Sequence, residues 1–170
     1  VRPYKGLGVL LDAVGILKRE NVKMHLLVAG EFWQGETEYS RQIENLGISN
    51  MVTIRADYIP DSEAGLYFES ADFFVAPYLD GTQSGSIKQA MGYQLPLVVT
   101  DVLTDPIIKE NSLDLFIISP GNARALAKAL QDAGILQTER TDCENTSQPS
   151  WQKLITSLTV IQNGRINTLG

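Results

Sequence analysis

Apolar positions along the chain follow two patterns, a helical spacing and short continuous runs. Between residues 6 and 20 they recur three and four positions apart, at Leu7, Leu10, Leu11, Val14 and Leu17. This spacing predicts an amphipathic helix. Five other segments are continuously apolar, which is typical of strands buried between two layers of helices. These segments are residues 24–29, 51–55, 72–76, 95–100 and 115–119.

Helix signals separate the apolar runs. Residues 36–46 are predicted to form a second helix that ends at Gly47. Asp61 or Ser62 is expected to cap a third helix, and Asn122 is expected to cap the last helix of the series. Further helices are predicted over residues 84–93 and 106–110. Strands and helices therefore alternate about five times, which predicts one three-layer α/β/α Rossmann-like domain with a mainly parallel sheet.

Secondary structure is indicated less clearly in the C-terminal third of the chain. Residues 137–150 are polar and are predicted to form an exposed loop. Residues 151–161 are predicted to form a last helix, with a tail to residue 170. The chain starts at Val1 and enters a helix pattern with no strand before it, so we expect a domain, residues 1–170, that is truncated at its N-terminus.

Composition narrows the classes of partner. A net charge of -6 argues against nucleic acid and anionic membrane surfaces as partners. Cys143 is the only cysteine, which excludes an internal disulfide and a cysteine-rich metal cluster. His25 is the only histidine and lies in an apolar run, so we interpret it as a structural strand residue. No secretory signal or membrane-spanning apolar stretch is present, and we expect a cytoplasmic protein.

The most informative turn joins the apolar run at residues 72–76 to the helix that follows it. Its residues are Thr82, Gln83, Ser84, Gly85 and Ser86. Hydroxyl and N–H groups at a helix N-terminus suit an anion, and this edge of a parallel sheet is where ligands bind. Arg2 and Lys5, placed at the end of what would be a missing strand, are expected at the same edge. Together they predict a pyrophosphate site, unless the two cations are solvated surface charges.

Two common enzyme sites are not supported. Gly6-Leu7-Gly8 is followed by Leu11 where a dinucleotide-binding fingerprint needs a small residue, and no strand precedes it. A nicotinamide site is therefore not expected. A Ser-His-Asp triad is also not expected, because the single histidine belongs to a strand.

Several ordered motifs resemble the C-terminal domain of family 4 (group 1) glycosyltransferases. RPYKGL followed by VLLDA resembles their opening R-x-x-K-G motif, and HLLVAGE resembles their strand-Gly-Glu step. ADFFVAPYLDGTQSG with QAMGYQLPLVVTDV resembles their A-D-x-F-V-L-P-S and E-A-M-A-x-G-x-P signature. The resemblance implies the donor-binding C-terminal half of a GT-B fold. Such enzymes transfer a sugar from a nucleotide diphosphate sugar with retention of configuration and without a metal or other cofactor.

The resemblance also implies roles for individual residues. Lys5 and, less directly, Arg2 match the cations that hold the diphosphate, and the backbone of residues 82–86 matches the phosphate-binding loop. The resemblance also implies that three residues after other strands contact the nucleotide sugar donor: Glu31, Tyr58 and Ile59. A surface role for Glu31 and loop packing for Tyr58 and Ile59 remain alternatives. Trp33 and Trp151 are interpreted as packing residues.

The chain departs from the family pattern at the two loop glutamates, which are replaced by Gly81 and Gln89. Gln89 could still bind a ribose hydroxyl. These departures motivate an alternative, a non-catalytic nucleotide- or partner-binding module that kept the fold; a third reading is a nucleotide-sugar epimerase. The acceptor, a glycan or glycolipid, would be bound through an N-terminal domain outside this chain. We expect no nucleic-acid partner and leave open peripheral membrane association of the full-length protein.

Overall fold

The structure is a computed structural model that describes residues 1–33, 35–81, 84–103, 105–111, 114–144 and 156–160. A short 3-10 turn at Pro3–Lys5 precedes the first helix. The helices are α1 (Leu7–Arg19), α2 (Glu36–Leu46), α3 (Asp61–Glu69), α4 (Gly85–Gly92), α5 (Pro106–Asn111) and α6 (Ala123–Glu144). The strands are β1 (His25–Ala29), β2 (Val52–Arg55), β3 (Phe73–Ala76), β4 (Leu97–Thr100), β5 (Leu115–Ile118) and β6 (Thr156–Val160).

The strands form one sheet in the order β2-β1-β6-β3-β4-β5, and every neighbouring pair is parallel. Successive side chains of a strand point to opposite faces. Phe73 and Val75 therefore join a core with α1, α2 and α6, whereas Phe74 and Ala76 join a second core with α3, α4 and α5. The predicted three-layer α/β/α domain with a parallel sheet is confirmed.

The five strands predicted from continuous apolar runs are all present, with ends within two residues of the prediction. Strands β3 and β4 are buried along their whole length, as expected for strands covered on both faces. His25 lies in β1, where its Nε2 is 2.7 Å from Thr53 Oγ1 on the neighbouring strand β2. Because the sheet is parallel, the segments that follow its strands meet at one edge, the carboxyl edge.

Two predictions for the C-terminal third are wrong. Residues 137–144 continue α6 and are not a loop, because polar composition indicates exposure and does not prevent a helix rich in Glu and Gln. Thr156–Val160 form a strand and not part of a helix. This segment is rich in β-branched residues, and it pairs with β1 on one side and β3 on the other. Residues 145–155 and 161–170 lie outside the described residues.

Helix starts were predicted with mixed success. The side chain of Asn122 accepts a hydrogen bond of 2.9 Å from the N–H of Ala125, which confirms it as the cap of α6. The predicted cap of α3 is wrong, since Pro60 precedes its first residue and no side-chain cap is formed. Within the described residues, no helix is both long enough and apolar enough to cross a membrane.

Candidate anion-binding site

The segment before α1 packs directly against the segment after β3. Tyr4 accepts a hydrogen bond of 2.7 Å from the N–H of Leu79 through its carbonyl oxygen. Gly6 ends the 3-10 turn with a φ of 75°, a left-handed conformation that favours glycine. These contacts bring Lys5 to the carboxyl edge beside Tyr78, which confirms that the first segment and the end of β3 share this edge.

Lys5 is a buried cation, with only 7% of its surface exposed. Its Nζ donates a 2.7 Å hydrogen bond to the Oη of Tyr78 and lies 4.6 Å from the centre of that ring. Loss of hydration on burial, with a smaller contribution from the charge of Arg2, lowers the pKa of Lys5 to about 8. Neither ion pair found among the described residues includes Lys5. The reading of Lys5 as a solvated surface charge is therefore wrong.

Tyr78 connects Lys5 to the start of α4. Its Oη lies 2.9 Å from the Oγ of Ser84, and its carbonyl oxygen accepts a 2.7 Å hydrogen bond from the Oγ1 of Thr100. Burial raises the pKa of the Tyr78 phenol to about 12, so the hydroxyl stays protonated at neutral pH. Ser84 occupies the N-cap position of α4, but its side chain does not cap the helix. Tyr78 therefore links the N-cap residue of α4, Ser84, to a buried cation.

Arg2 makes no hydrogen bond to Lys5, Tyr78 or Ser84 among the described residues, but its charge contributes to the lowered pKa of Lys5. The Arg2 side chain is exposed, and its guanidinium carbon lies 4.2 Å above the centre of the Trp33 ring. Trp33 follows β1 and is 59% exposed. The interpretation of Trp33 as a packing residue is wrong, because its ring forms an exposed platform for a cation.

The residues that follow β1 and β2 occupy the same edge with different exposure. Glu31 is exposed and lies two residues after the end of β1. Tyr58 is 63% exposed, whereas Ile59 is 6% exposed and belongs to the core that contains α3 and α4. Among the described residues, no hydrogen bond or ring contact joins Tyr58 to Lys5 or Ser84. The structure thus places Tyr58 on the surface and supports loop packing for Ile59.

Gln89 and Gly81, the two positions where the sequence departs from the family pattern, differ in environment. The Oε1 of Gln89, in α4, is buried and has no hydrogen-bond partner among the described residues. Gly81 has a φ of 113° and donates its N–H to the Oδ1 of Asp80 at 2.7 Å. A glutamate at position 81 would be strained in this backbone conformation. Thr82 and Gln83, both predicted to bind the donor, lie outside the described residues.

Sequence reasoning missed Tyr78 and Thr100. One sequence signal for Tyr78 was available: its phenol hydroxyl follows the apolar run at residues 72–76, at the sheet edge where the ligand is expected. In the described part of the chain, no group of three or more His, Cys, Asp or Glu residues is arranged to hold a metal ion.

The sequence profile of the family described as glycosyl transferases group 1 matches residues 1–133. No curated protein sequence matches this chain. The Anabaena protein Alr3699/HepE, in complex with UDP and glucose, is similar with a TM-score of 0.67 and 21% identity, over 82% of this chain and 38% of that one. A glycosyltransferase from Rickettsia africae aligns with a TM-score of 0.65 and 20% identity, over 78% and 35% of the two chains.

Sucrose-phosphate synthase from Thermosynechococcus elongatus is also similar, with a TM-score of 0.69 and 19% identity over 81% of this chain. At these identities the likeness shows the shared fold. The chain covers between 35% and 38% of the length of these three structures, which corresponds to part of each larger protein.

Proposed function

Because the chain belongs to the group 1 glycosyltransferases, we propose that it is the donor-binding domain of a retaining enzyme that uses a nucleotide diphosphate sugar. The observation that carries this proposal is the buried ammonium of Lys5, which the phenol of Tyr78 links to Ser84 at the start of α4. Among the described residues this cation has no ion-pair partner. Tyr78 lies between it and Ser84 and is within hydrogen-bond distance of both. A diphosphate would supply the negative charge that this group is arranged to receive.

The proposed chemistry is electrostatic. As the bond between the sugar and the diphosphate breaks, negative charge develops on the leaving phosphate. Lys5, Arg2 and the backbone N–H groups at the start of α4 would stabilise that charge. In this proposal the two cations act without a metal ion or other cofactor, as the family resemblance implies.

The nucleoside is proposed to lie farther along the carboxyl edge. Gln89 would bind a ribose hydroxyl, because its Oε1 is buried and has no partner among the described residues. Exposed Tyr58 would contact the base, and Glu31 would contact the donor. The Anabaena protein is described in complexes with UDP and with UDP-glucose, so UDP is the first nucleotide to test.

The acceptor belongs to the same proposal. A glycan or glycolipid acceptor would be bound mainly by an N-terminal domain outside this chain, and a cytoplasmic location would give access to nucleotide sugars. The isolated chain would then bind the donor and transfer little sugar.

Calorimetric titration with UDP, GDP and inorganic pyrophosphate tests the proposal. We expect UDP or GDP to bind, and Lys5→Met to weaken binding about tenfold or more, because a hydrogen-bonded charge is lost. Lys128→Met is the matched control, since Lys128 lies exposed on α6 and pairs with Asp132. A folded protein that binds none of the common nucleoside diphosphates would contradict the proposal.

The second candidate is a non-catalytic module that binds a nucleotide or a protein partner. The backbone of Gly81 supports it, because its φ of 113° suits glycine and disfavours the glutamate that the family pattern places in this loop. Measurement of sugar transfer by the full-length protein, with a panel of donors and acceptors, separates the two candidates. Robust transfer would exclude the non-catalytic module.

A further inference from the structure

Tyr78 occupies the centre of the candidate site, although the proposed function assigns it no task. Its side chain is 1% exposed, and its Oη lies within hydrogen-bond distance of both Lys5 and Ser84. Its ring meets that of Tyr4 edge-on, with centroids 6.1 Å apart. A hydrogen bond from the Oγ1 of Thr100 to the carbonyl oxygen of Tyr78 fixes the backbone of that residue. The phenol is therefore held in one orientation.

The chemistry of the three groups gives the chain of hydrogen bonds a direction. A charged lysine only donates hydrogen bonds, so the Oη of Tyr78 accepts from Lys5. The 2.9 Å contact between Tyr78 and Ser84 suits either hydroxyl as donor. Because the phenol oxygen already accepts from a charged group, it is the poorer acceptor and the better donor of the two, and we assign its proton to the Oγ of Ser84. The hydroxyl of Ser84 accepts at this position and keeps its own proton for another acceptor. Its side chain does not use that proton to cap α4, because a serine cap accepts from the backbone.

We propose that Tyr78 is a positioning residue that directs the hydroxyl proton of Ser84, and the ammonium of Lys5, toward one phosphoryl group of the bound nucleotide. This inference rests on the proposed function, because it assumes that the site binds a diphosphate. Phosphoryl oxygens only accept hydrogen bonds at neutral pH. When the Oγ of Ser84 accepts a hydrogen bond from Tyr78, its own proton is free to be donated to a phosphoryl oxygen. A serine hydroxyl that rotates freely would first have to be oriented for that donation.

Burial strengthens this arrangement. The phenol remains protonated far above neutral pH, because burial raises the pKa of Tyr78 to about 12. Hydrogen bonds in a chain polarise one another, so a charged donor at Lys5 makes the hydroxyl of Ser84 a better donor. Removal of the phenolic oxygen breaks the chain while the ring still fills its place in the core.

A double-mutant cycle on UDP binding tests this role. We expect Tyr78→Phe and Ser84→Ala each to weaken UDP binding about tenfold. The double variant is expected to bind about as weakly as either single variant, because both substitutions remove the same directed donor. Losses that multiply to about a hundredfold would overturn the positioning role, since a purely structural tyrosine would act independently of Ser84.

Tyr93→Phe is the matched control, because it removes a tyrosine hydroxyl that lies beside Gly65 of α3. We expect it to leave UDP affinity unchanged. If Tyr78→Phe does not fold, the native residue can be observed by labelling its Cζ with carbon-13. The resonance is expected to shift when UDP is added to the wild type and not in Ser84→Ala; an equal shift in both proteins would overturn the role.

The outcomes also separate this inference from the proposed function. If the wild type binds neither UDP nor inorganic pyrophosphate, both are overturned. If UDP binds tightly and Tyr78→Phe binds as well as the wild type, only the positioning role of Tyr78 is overturned.

Discussion

Gly6 lies directly against the backbone carbonyl of Pro77. A Cβ at position 6 would lie 2.9 Å from the carbonyl carbon of Pro77 and closer still to its oxygen. The left-handed φ of Gly6 also disfavours any larger residue. This close approach joins the start of α1 to the end of β3, and it places Lys5 and Tyr78 on neighbouring segments.

Gly6→Ala is expected to destabilise the protein by about 2 kcal/mol or more, because the new methyl group overlaps the backbone and the φ becomes strained. Urea denaturation measures the change. The matched control is Gly92→Ala, since a Cβ at position 92 meets nothing within 4 Å. A Gly6→Ala variant as stable as Gly92→Ala would contradict the close packing.

Lys5→Met is expected to stabilise the protein at neutral pH while it weakens anion binding. Burial lowers the pKa of Lys5 from its ordinary value of 10.5 to about 8, so the charged form opposes folding. Below pH 8 this cost is fully present and corresponds to about 3 kcal/mol, before loss of the hydrogen bond to Tyr78 reduces the gain. Between pH 8 and 10.5 the unfolded state binds more protons, so the wild type gains stability as pH rises.

Thermal unfolding of the wild type and Lys5→Met across pH 7 to about 10.5 measures this difference. The advantage of the variant should shrink steadily above pH 8. An advantage that grows with pH would have the wrong sign for a buried lysine and would contradict the argument.

Binding of UDP is expected to take up protons above about pH 8. The free protein holds Lys5 near its half-charged state there, and an adjacent diphosphate favours the charged ammonium. Affinity should therefore fall as pH rises from 8 to about 10, by up to about tenfold per pH unit. Calorimetry in buffers with different ionisation enthalpies counts the protons. Lys5→Met should remove the uptake, and an unchanged uptake in that variant would assign it to another group.

Gln89→Met is expected to weaken UDP binding and leave the binding of inorganic pyrophosphate unchanged. The substitution keeps the side-chain length but removes the buried Oε1, which has no partner among the described residues and is proposed to bind the ribose. Loss of an unpaired buried oxygen should also stabilise the free protein by about 1 kcal/mol. Titrations with both ligands measure the difference, and equal losses for both would contradict a contact with the nucleoside.

Trp33→Ala is expected to weaken UDP binding about threefold without a loss of stability. The guanidinium of Arg2 would lose the exposed ring above which it lies, a contact worth about 0.5–1 kcal/mol at the surface. Leu66→Ala is the control, because Leu66 is also exposed but lies on α3. Unchanged affinity in Trp33→Ala would contradict a role for this contact in holding Arg2 at the donor site.

Much of the fold could be predicted because its signals are local. Continuous apolar runs identified β1 to β5, helical spacing identified α1, and Gly47 marked the end of α2. The topology rule for parallel sheets then placed Lys5 and the start of α4 at one edge. The length of α6 was missed because polar residues indicate exposure and do not distinguish a loop from a helix. Strand β6 was missed because its pairing between β1 and β3 joins segments more than 80 residues apart in sequence.

The sequence by itself determined the alternation of strands and helices, the two cations before α1, and the turn that precedes α4. These features depend on residue type and spacing within short segments. Only the tertiary structure decided that Lys5 is buried, that Tyr78 joins it to Ser84, and that Arg2 lies above Trp33. Lys5 and Tyr78 are 73 residues apart, and their contact depends on the close packing of Gly6 on Pro77, which no local pattern specifies.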